Sequence, residues 1–168
     1  NYADNFVLLS ILNSPLIRYI SDCLNPTVNI QVGDMQRFPI SYGKSNVLHS
    51  VGYQNVNMKK HLCQYSIIEP LYKASPISIE ADAPTSISNY YTYENALLTQ
   101  ILLNESVINK TVFEVYELSE HDKQMVLEKE GVPVGDLPVS RSAKAAYREW
   151  LTANEEFPVS EEVLAHLD

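Results

Sequence analysis

Asn29 and Gln31 are the residues whose type and spacing point most directly to chemistry. They stand two apart in Thr27-Val28-Asn29-Ile30-Gln31-Val32. In an extended chain both carboxamides therefore share one face, and Val28, Ile30 and Val32 share the other. A carboxamide pairs bidentately with adenine in a major groove, and it also bonds backbone phosphates. Arg37 and Lys44 follow shortly after as cations able to neutralise a phosphate. These four residues, Asn29, Gln31, Arg37 and Lys44, are the candidate nucleic-acid contacts. The plainer reading of the two carboxamides is the wet face of an edge strand.

Other chemistries lack their residues. With five glycines the chain has neither GxGxxG nor GxxxxGK[ST], so no phosphate or dinucleotide cradle is legible. GxSxG and HExxH are missing as well. His49, His61, His121 and His166 are isolated in sequence and read as solvated or helix-end residues. Cys23 and Cys63 form no CxxC and have no histidine cluster beside them. No metal is expected, and the pair reads as buried free thiols of a reducing cytoplasm. The carboxylates from Glu114 to Glu130 are interspersed with Lys123 and Lys129, which suits a solvated helix face better than acid–base work. Tyr90-Tyr91-Thr92-Tyr93 is the densest aromatic cluster; it offers stacking platforms for bases but reads as packing. Asn104-Glu105-Ser106 and Asn109-Lys110-Thr111 match the glycosylation sequon inside an expected helix and read as chance.

At 168 residues and 45% hydrophobic, the chain can bury one sizeable core, or one core with a helical appendage. It opens at Asn1 without a basic segment before an apolar stretch, the pattern of a piece of a longer polypeptide rather than of a signal peptide. No apolar run approaches the roughly 18 residues of a membrane span, so a cytoplasmic protein with no membrane partner is expected. The net charge of −9 is uneven. Residues 1–60 hold five cations against three carboxylates, or +2; residues 61–100 sum to −3 and residues 101–168 to −8. Phosphate contacts dominate nucleic-acid affinity, so only the first third suits a polyanion.

The elements that must position these residues follow from periodicity and caps. Residues 2–12 read as a helix with Phe6, Leu9 and Leu12 on one face, which Val7, Leu8 and Ile11 widen almost all round. Ser14 suits an N-cap and Pro15 the first position of a second helix to about Leu24, with Leu16, Tyr19, Ile20 and Cys23 inward. Asn25-Pro26 ends it. Val28–Val32 alternates like a half-buried strand, and Phe38-Pro39-Ile40 resembles an edge segment. A helix over 46–65 is weakened by Gly52. Residues 73–89 read as a linker. A long helix from Tyr91 to Leu118 is expected, then one capped by Ser119 and Asp122 and stopped by Gly131. Ser142 to Asn154, with Ala145, Tyr147, Trp150 and Leu151 as anchors, and Glu161 to Leu167 complete the set.

Leu8-Leu9-Ser10-Ile11-Leu12-Asn13-Ser14, then Leu24-Asn25-Pro26-Thr27-Val28-Asn29-Ile30-Gln31-Val32-Gly33-Asp34 and Pro39, resemble the carboxy-terminal part of large adenine-specific DNA methyltransferases. The nearest in pattern are the phage-defence methyltransferases of the BREX (PglX-like) kind and the fused type IIG restriction–modification enzymes. Asn104 to Leu118 is similar to a late helix of that family. Together the motifs cover about a third of the chain. The resemblance implies that S-adenosylmethionine and the catalytic Asn-Pro-Pro-Tyr-type motif belong to an upstream domain. Asn25-Pro26-Thr27-Val28 lacks the second proline and the aromatic that would grip a flipped adenine.

The expected fold is therefore α+β and predominantly helical: a small sheet near residues 28–40, packed by helices, followed by a helical bundle. Residues 1–72 would be the tail of a target-recognition region, 73–89 a linker, and 90–168 a helical carboxy-terminal extension. The expected role is a non-catalytic, DNA-positioning fragment with no cofactor of its own, meeting double-stranded DNA through its parent protein. The alternative is an acidic protein-interaction or DNA-mimic module acting through residues 101–168.

Overall fold

A computed structural model describes residues 4–27, 29–41, 45–78, 82–136, 141–154 and 159–167. Helix is the regular structure found there, and the described residues contain no strand. The elements are α1 (Asn5–Leu12), α2 (Pro15–Leu24), α3 (Val32–Met35), α4 (Asn46–Cys63), α5 (Ala83–Val115), α6 (Glu120–Glu130), α7 (Arg141–Ala153) and α8 (Glu161–Leu167). Short 3-10 turns lie at Pro76–Ser78 and Val134–Asp136. The residues fall into two units. One comprises Asn1–Tyr53 and Asn104–Leu137; the other comprises Gln54–Leu103 and Pro138–Asp168.

The α+β expectation fails at its sheet. Val28 lies outside the described residues, Asn29 to Gln31 are irregular, and Val32 opens α3. Local side chains take the backbone groups that a strand ladder would need. Asn25 Nδ2 donates to Asn29 O at 3.1 Å, and Gln31 N donates to Asp34 Oδ2 at 3.0 Å. Such competition is how Asn and Asp turn a chain out of a sheet. Phe38-Pro39-Ile40 offers no second strand, being a tight bend in which Ile40 N bonds Phe38 O at 2.9 Å. A lone strand has nothing to stabilise it.

In the first unit, α1 is capped by Asp4, whose Oδ1 accepts from Phe6 N at 2.9 Å and Val7 N at 3.3 Å. The buried side is Val7, Ser10 and Ile11, so of the broad apolar band expected the Val7–Ile11 side turns inward and Leu9 stays exposed. Ser10 Oγ donates to Leu48 O of α4 at 3.1 Å, which fixes which side turns inward. Gly52 of α4 makes that approach possible: a Cβ there would lie 2.5 Å from Ser10 Oγ and 3.0 Å from Phe6 O. His49 of α4 meets Asp4 Oδ2 through Nδ1 at 2.5 Å and packs edge-on to Phe6.

Ser14 and Pro15 start α2 as expected, with Ile17 N bonding Ser14 Oγ at 3.4 Å. Leu16, Ile17 and Ser21 are its buried residues. Cys23 is exposed and Cys63 half-buried, so the buried-thiol expectation fails for both; each is a free thiol. Helix α2 packs on α6. Lys129 reaches Asp22 at 3.1 Å and lies 5.1 Å over the Tyr19 ring, and Arg18 lies 3.8 Å from Glu130. The Asp22 bond is the main reason the Lys129 ammonium titrates above its ordinary range. Ser119 caps α6, and Gly131 closes it at φ +87°. Helix α5 ends in a left-handed residue, Glu117 at φ 50°, with Leu118 N bonding Phe113 O at 3.1 Å and Glu117 N bonding Glu114 O at 3.0 Å. That is a Schellman closure without its usual glycine.

In the second unit, Met58, Leu97 and Ile101 form a fully buried cluster flanked by Leu62, Tyr93 and Trp150. Tyr147 of α7 is buried, donates to Gln100 Oε1 and stacks on Trp150; burial pushes its phenol above its ordinary range. Val163 of α8 is buried behind the Ser160 cap. Helix α5 starts at Ala83, eight residues before the expected Tyr91, so residues 83–89 of the expected linker are helical. Asp82 supplies the missed start signal, accepting from Thr85 N at 2.9 Å. Asn104 is buried within α5, which removes it as a glycosylation acceptor. Among the described residues no single helix is long and apolar enough to cross a membrane. Only α1 with α2 passes by length and composition, and the two meet at a 63° bend.

Candidate nucleic-acid interface

The segment after α2 is organised by Asn25. Its backbone N–H closes α2 onto Ser21 O at 2.8 Å. Its side-chain oxygen accepts from Thr27 N at 3.1 Å and Thr27 Oγ1 at 2.6 Å. Its side-chain nitrogen donates to Asn29 O and, at 2.7 Å, to Asp34 Oδ2. One carboxamide thus ties the end of α2 to the first turn of α3. Asp34 completes the tie by accepting from Gln31 N, the residue that caps α3. A carboxylate at this position also suits the positive end of a helical turn.

The Asn25 hydrogen bond, then the Gln31 N–H and more weakly the Arg37 charge, hold the Asp34 carboxyl below its ordinary range, although desolvation opposes them. A depressed carboxylate stabilises the fold at pH above its unfolded value of about 3.9, and that contribution is lost as pH falls through the folded value. Asn25→Ala is therefore expected to raise the Asp34 pKa toward the ordinary value, read by carboxyl carbon NMR titration. An unmoved titration would show that Asn25 does not hold Asp34.

The far side of the segment is held from just past the end of α5. Tyr116 Oη donates to Pro39 O at 2.5 Å and accepts from Ser41 N at 3.0 Å. Between these anchors, Asn29, Gln31 and Arg37 are all exposed. So are Ile30, Val32 and Met35, with Val32 at 73%. The chain is shaped here by Asn25, Asp34 and Tyr116, and it displays the side chains that the sequence marks as candidates. Lys44 lies outside the described residues. Lys59 and Lys60 belong to the second unit, so Arg37 is the described cation of this segment.

Sequence reasoning took Asn29 and Gln31 for two teeth of a strand face. They are a loop residue and a helix cap instead. It missed Asn25 and Asp34 as organisers, although an Asn at a helix end and an Asp three residues after a capping position are both readable signals. Tyr116 carried no such signal, because its partners lie more than seventy residues away.

Two of the four carboxylates of α6 have a cationic partner and two have a neutral hydrogen-bond donor. Glu120 pairs with Lys123 at 2.6 Å, Asp122 bonds Ser119, Glu128 accepts from Gln124 at 3.1 Å, and Glu130 faces Arg18. Among the described residues no group of three or more His, Cys, Asp or Glu is placed to hold a metal ion. Compared with known protein families, curated proteins and solved structures, the chain matches none of them.

Proposed function

We propose that this chain is the non-catalytic, DNA-positioning carboxy-terminal part of an adenine-specific DNA methyltransferase of a restriction–modification or phage-defence system. In this reading an upstream domain binds S-adenosylmethionine and carries out methyl transfer. The observation that supports it is the self-held segment from Asn25 to Asp34. Its internal bonds run through Asn25, Thr27, Asp34 and the Gln31 cap, and the side chains of Asn29, Gln31 and Arg37 are exposed. Preorganised carboxamides can read base edges or bond phosphates, and Arg37 supplies charge for a phosphate. The motif order from Leu8 to Pro39 is the second support. For the acidic-module alternative, two of the four α6 carboxylates, Glu120 and Glu130, are paired with Lys123 and Arg18.

The test uses the full-length gene product and transfer of tritiated methyl groups to adenine in duplex DNA. Arg37→Ala is expected to raise the KM for duplex about five- to tenfold, to lower the salt slope of binding by about 1, and to leave kcat unchanged. Asn29→Ala and Gln31→Ala should relax base preference at one position or weaken binding uniformly, which separates base from phosphate contact. A product that transfers no methyl group to duplex DNA, or one indifferent to all three changes, refutes the reading.

A further inference from the structure

Residues 64–73 leave α4 as a loop closed on itself. Lys73 N and Ala74 N both donate to Gln64 O, at 2.8 and 3.4 Å. Successive turns fill it: Ser66 N to Cys63 O at 3.3 Å, Glu69 N to Ser66 O at 2.9 Å, and Tyr72 N to Glu69 O at 3.0 Å. Tyr65 at its base packs edge-on against Tyr90 and Tyr93 of α5, with ring centroids 5.2 and 6.1 Å away. A loop bonded this thoroughly needs little further ordering when it binds.

Its apolar side chains nonetheless face water. Ile67 and Ile68 are 80% and 86% exposed, and Leu71 and Tyr72 are 47% and 39% exposed. Single exposed apolar residues are ordinary, but four within six residues on a shaped loop mark an interaction surface. Glu69 and Lys73 stand four residues apart in the same loop. Neither has an ion-pair partner among the described residues.

We propose that this loop is the contact through which two copies of the chain associate. A two-fold contact is self-complementary, so a feature on one copy meets its complement on the other. Glu69 of each copy then faces Lys73 of the other, and Ile67, Ile68, Leu71 and Tyr72 close the centre. A second copy supplies both countercharges. A lipid surface would strand Glu69 in an apolar layer without one. The exposed parts of the four side chains come to roughly 500 Å² per copy, so a dimer buries on the order of 1,000 Å², the lower limit for a specific interface. The association is accordingly weak and concentration-dependent. The loop belongs to the second unit, so the inference stands apart from the DNA reading of residues 25–37.

Sedimentation velocity between about 2 and about 200 µM tests it, the range in which such a contact should pass from monomer to dimer. Ile68→Asp should raise the dimer dissociation constant at least about tenfold, and Glu69→Lys or Lys73→Glu alone about three- to tenfold. The two charge reversals in one chain should bring the constant back to within about threefold of wild type. Melting temperatures of these surface variants should stay within about 2 °C of wild type, which separates lost association from lost fold. A wild-type chain that remains monomeric throughout overturns the proposal. So does a dimer indifferent to Ile68→Asp, or a charge swap that fails to restore it. A monomer that instead sediments with neutral lipid vesicles, and loses this with Ile68→Asp, overturns it in favour of a lipid surface.

Discussion

Leu97→Ala is expected to lower the free energy of unfolding by about 3–4 kcal/mol. Leu97 is completely buried, and its cluster partners Met58 and Ile101 are nearly so. Removing its isobutyl group costs the transfer free energy of the lost carbons, and it leaves a cavity between helices that cannot close fully on it. Urea denaturation provides the measurement. Trp150 is the chain's single tryptophan and packs against this cluster, so its fluorescence follows the second unit directly. A midpoint shift equivalent to less than about 1 kcal/mol would mean that the site collapses around alanine or that the cluster is not the core of this unit.

Gly52→Val is expected to cost about 3 kcal/mol or more, and Gly52→Ala about 1–2 kcal/mol. Alanine is the better helix former by about 1 kcal/mol, which offsets part of its clash. Its Cβ would still meet Ser10 Oγ at 2.5 Å and Phe6 O at 3.0 Å. The hydroxyl could swing away only by giving up its bond to Leu48 O inside the contact. Valine adds two methyl groups in a space already filled by backbone. A double-mutant cycle isolates the cause. With Ser10→Ala present, the cost of Gly52→Ala should fall by about 1 kcal/mol, because the nearest obstacle is gone. Additive costs would place the strain at the Phe6 carbonyl instead.

What could be read in the sequence was local. Ser14 with Pro15, Ser119 with Asp122, Gly131 and Ser160 each announce a helix end through groups a few residues away, and all of them sit at helix ends in the structure. Leu97, Ile101, Ile108, Val112 and Val115 recur at helical spacing, and all are buried except Val115, which is half-buried. Errors arose where a short pattern had two physical readings. Five alternating residues from Val28 to Val32 satisfy a strand period, but Asn25 and Asp34 claim their backbone first. Helix α1 is apolar nearly all round, so its inward side was set by Ser10 and Gly52, and a glycine read as a weak point is where two helices meet. Of the candidate site, the exposed residues were legible by type. The groups that hold them were not, because the hold spans nine residues at Asn25 and more than seventy at Tyr116.

Tyr116, in the turn after α5, has a consequence that reaches beyond that turn. A single phenolic oxygen both receives and gives a hydrogen bond to the chain on either side of Ile40. Phenylalanine in its place would keep the ring and lose the clasp, leaving the exit of the 25–37 segment untethered while the helices around it stayed folded. Evolutionary adjustment of what that segment touches could therefore begin at position 116, far along the chain, without altering any displayed side chain.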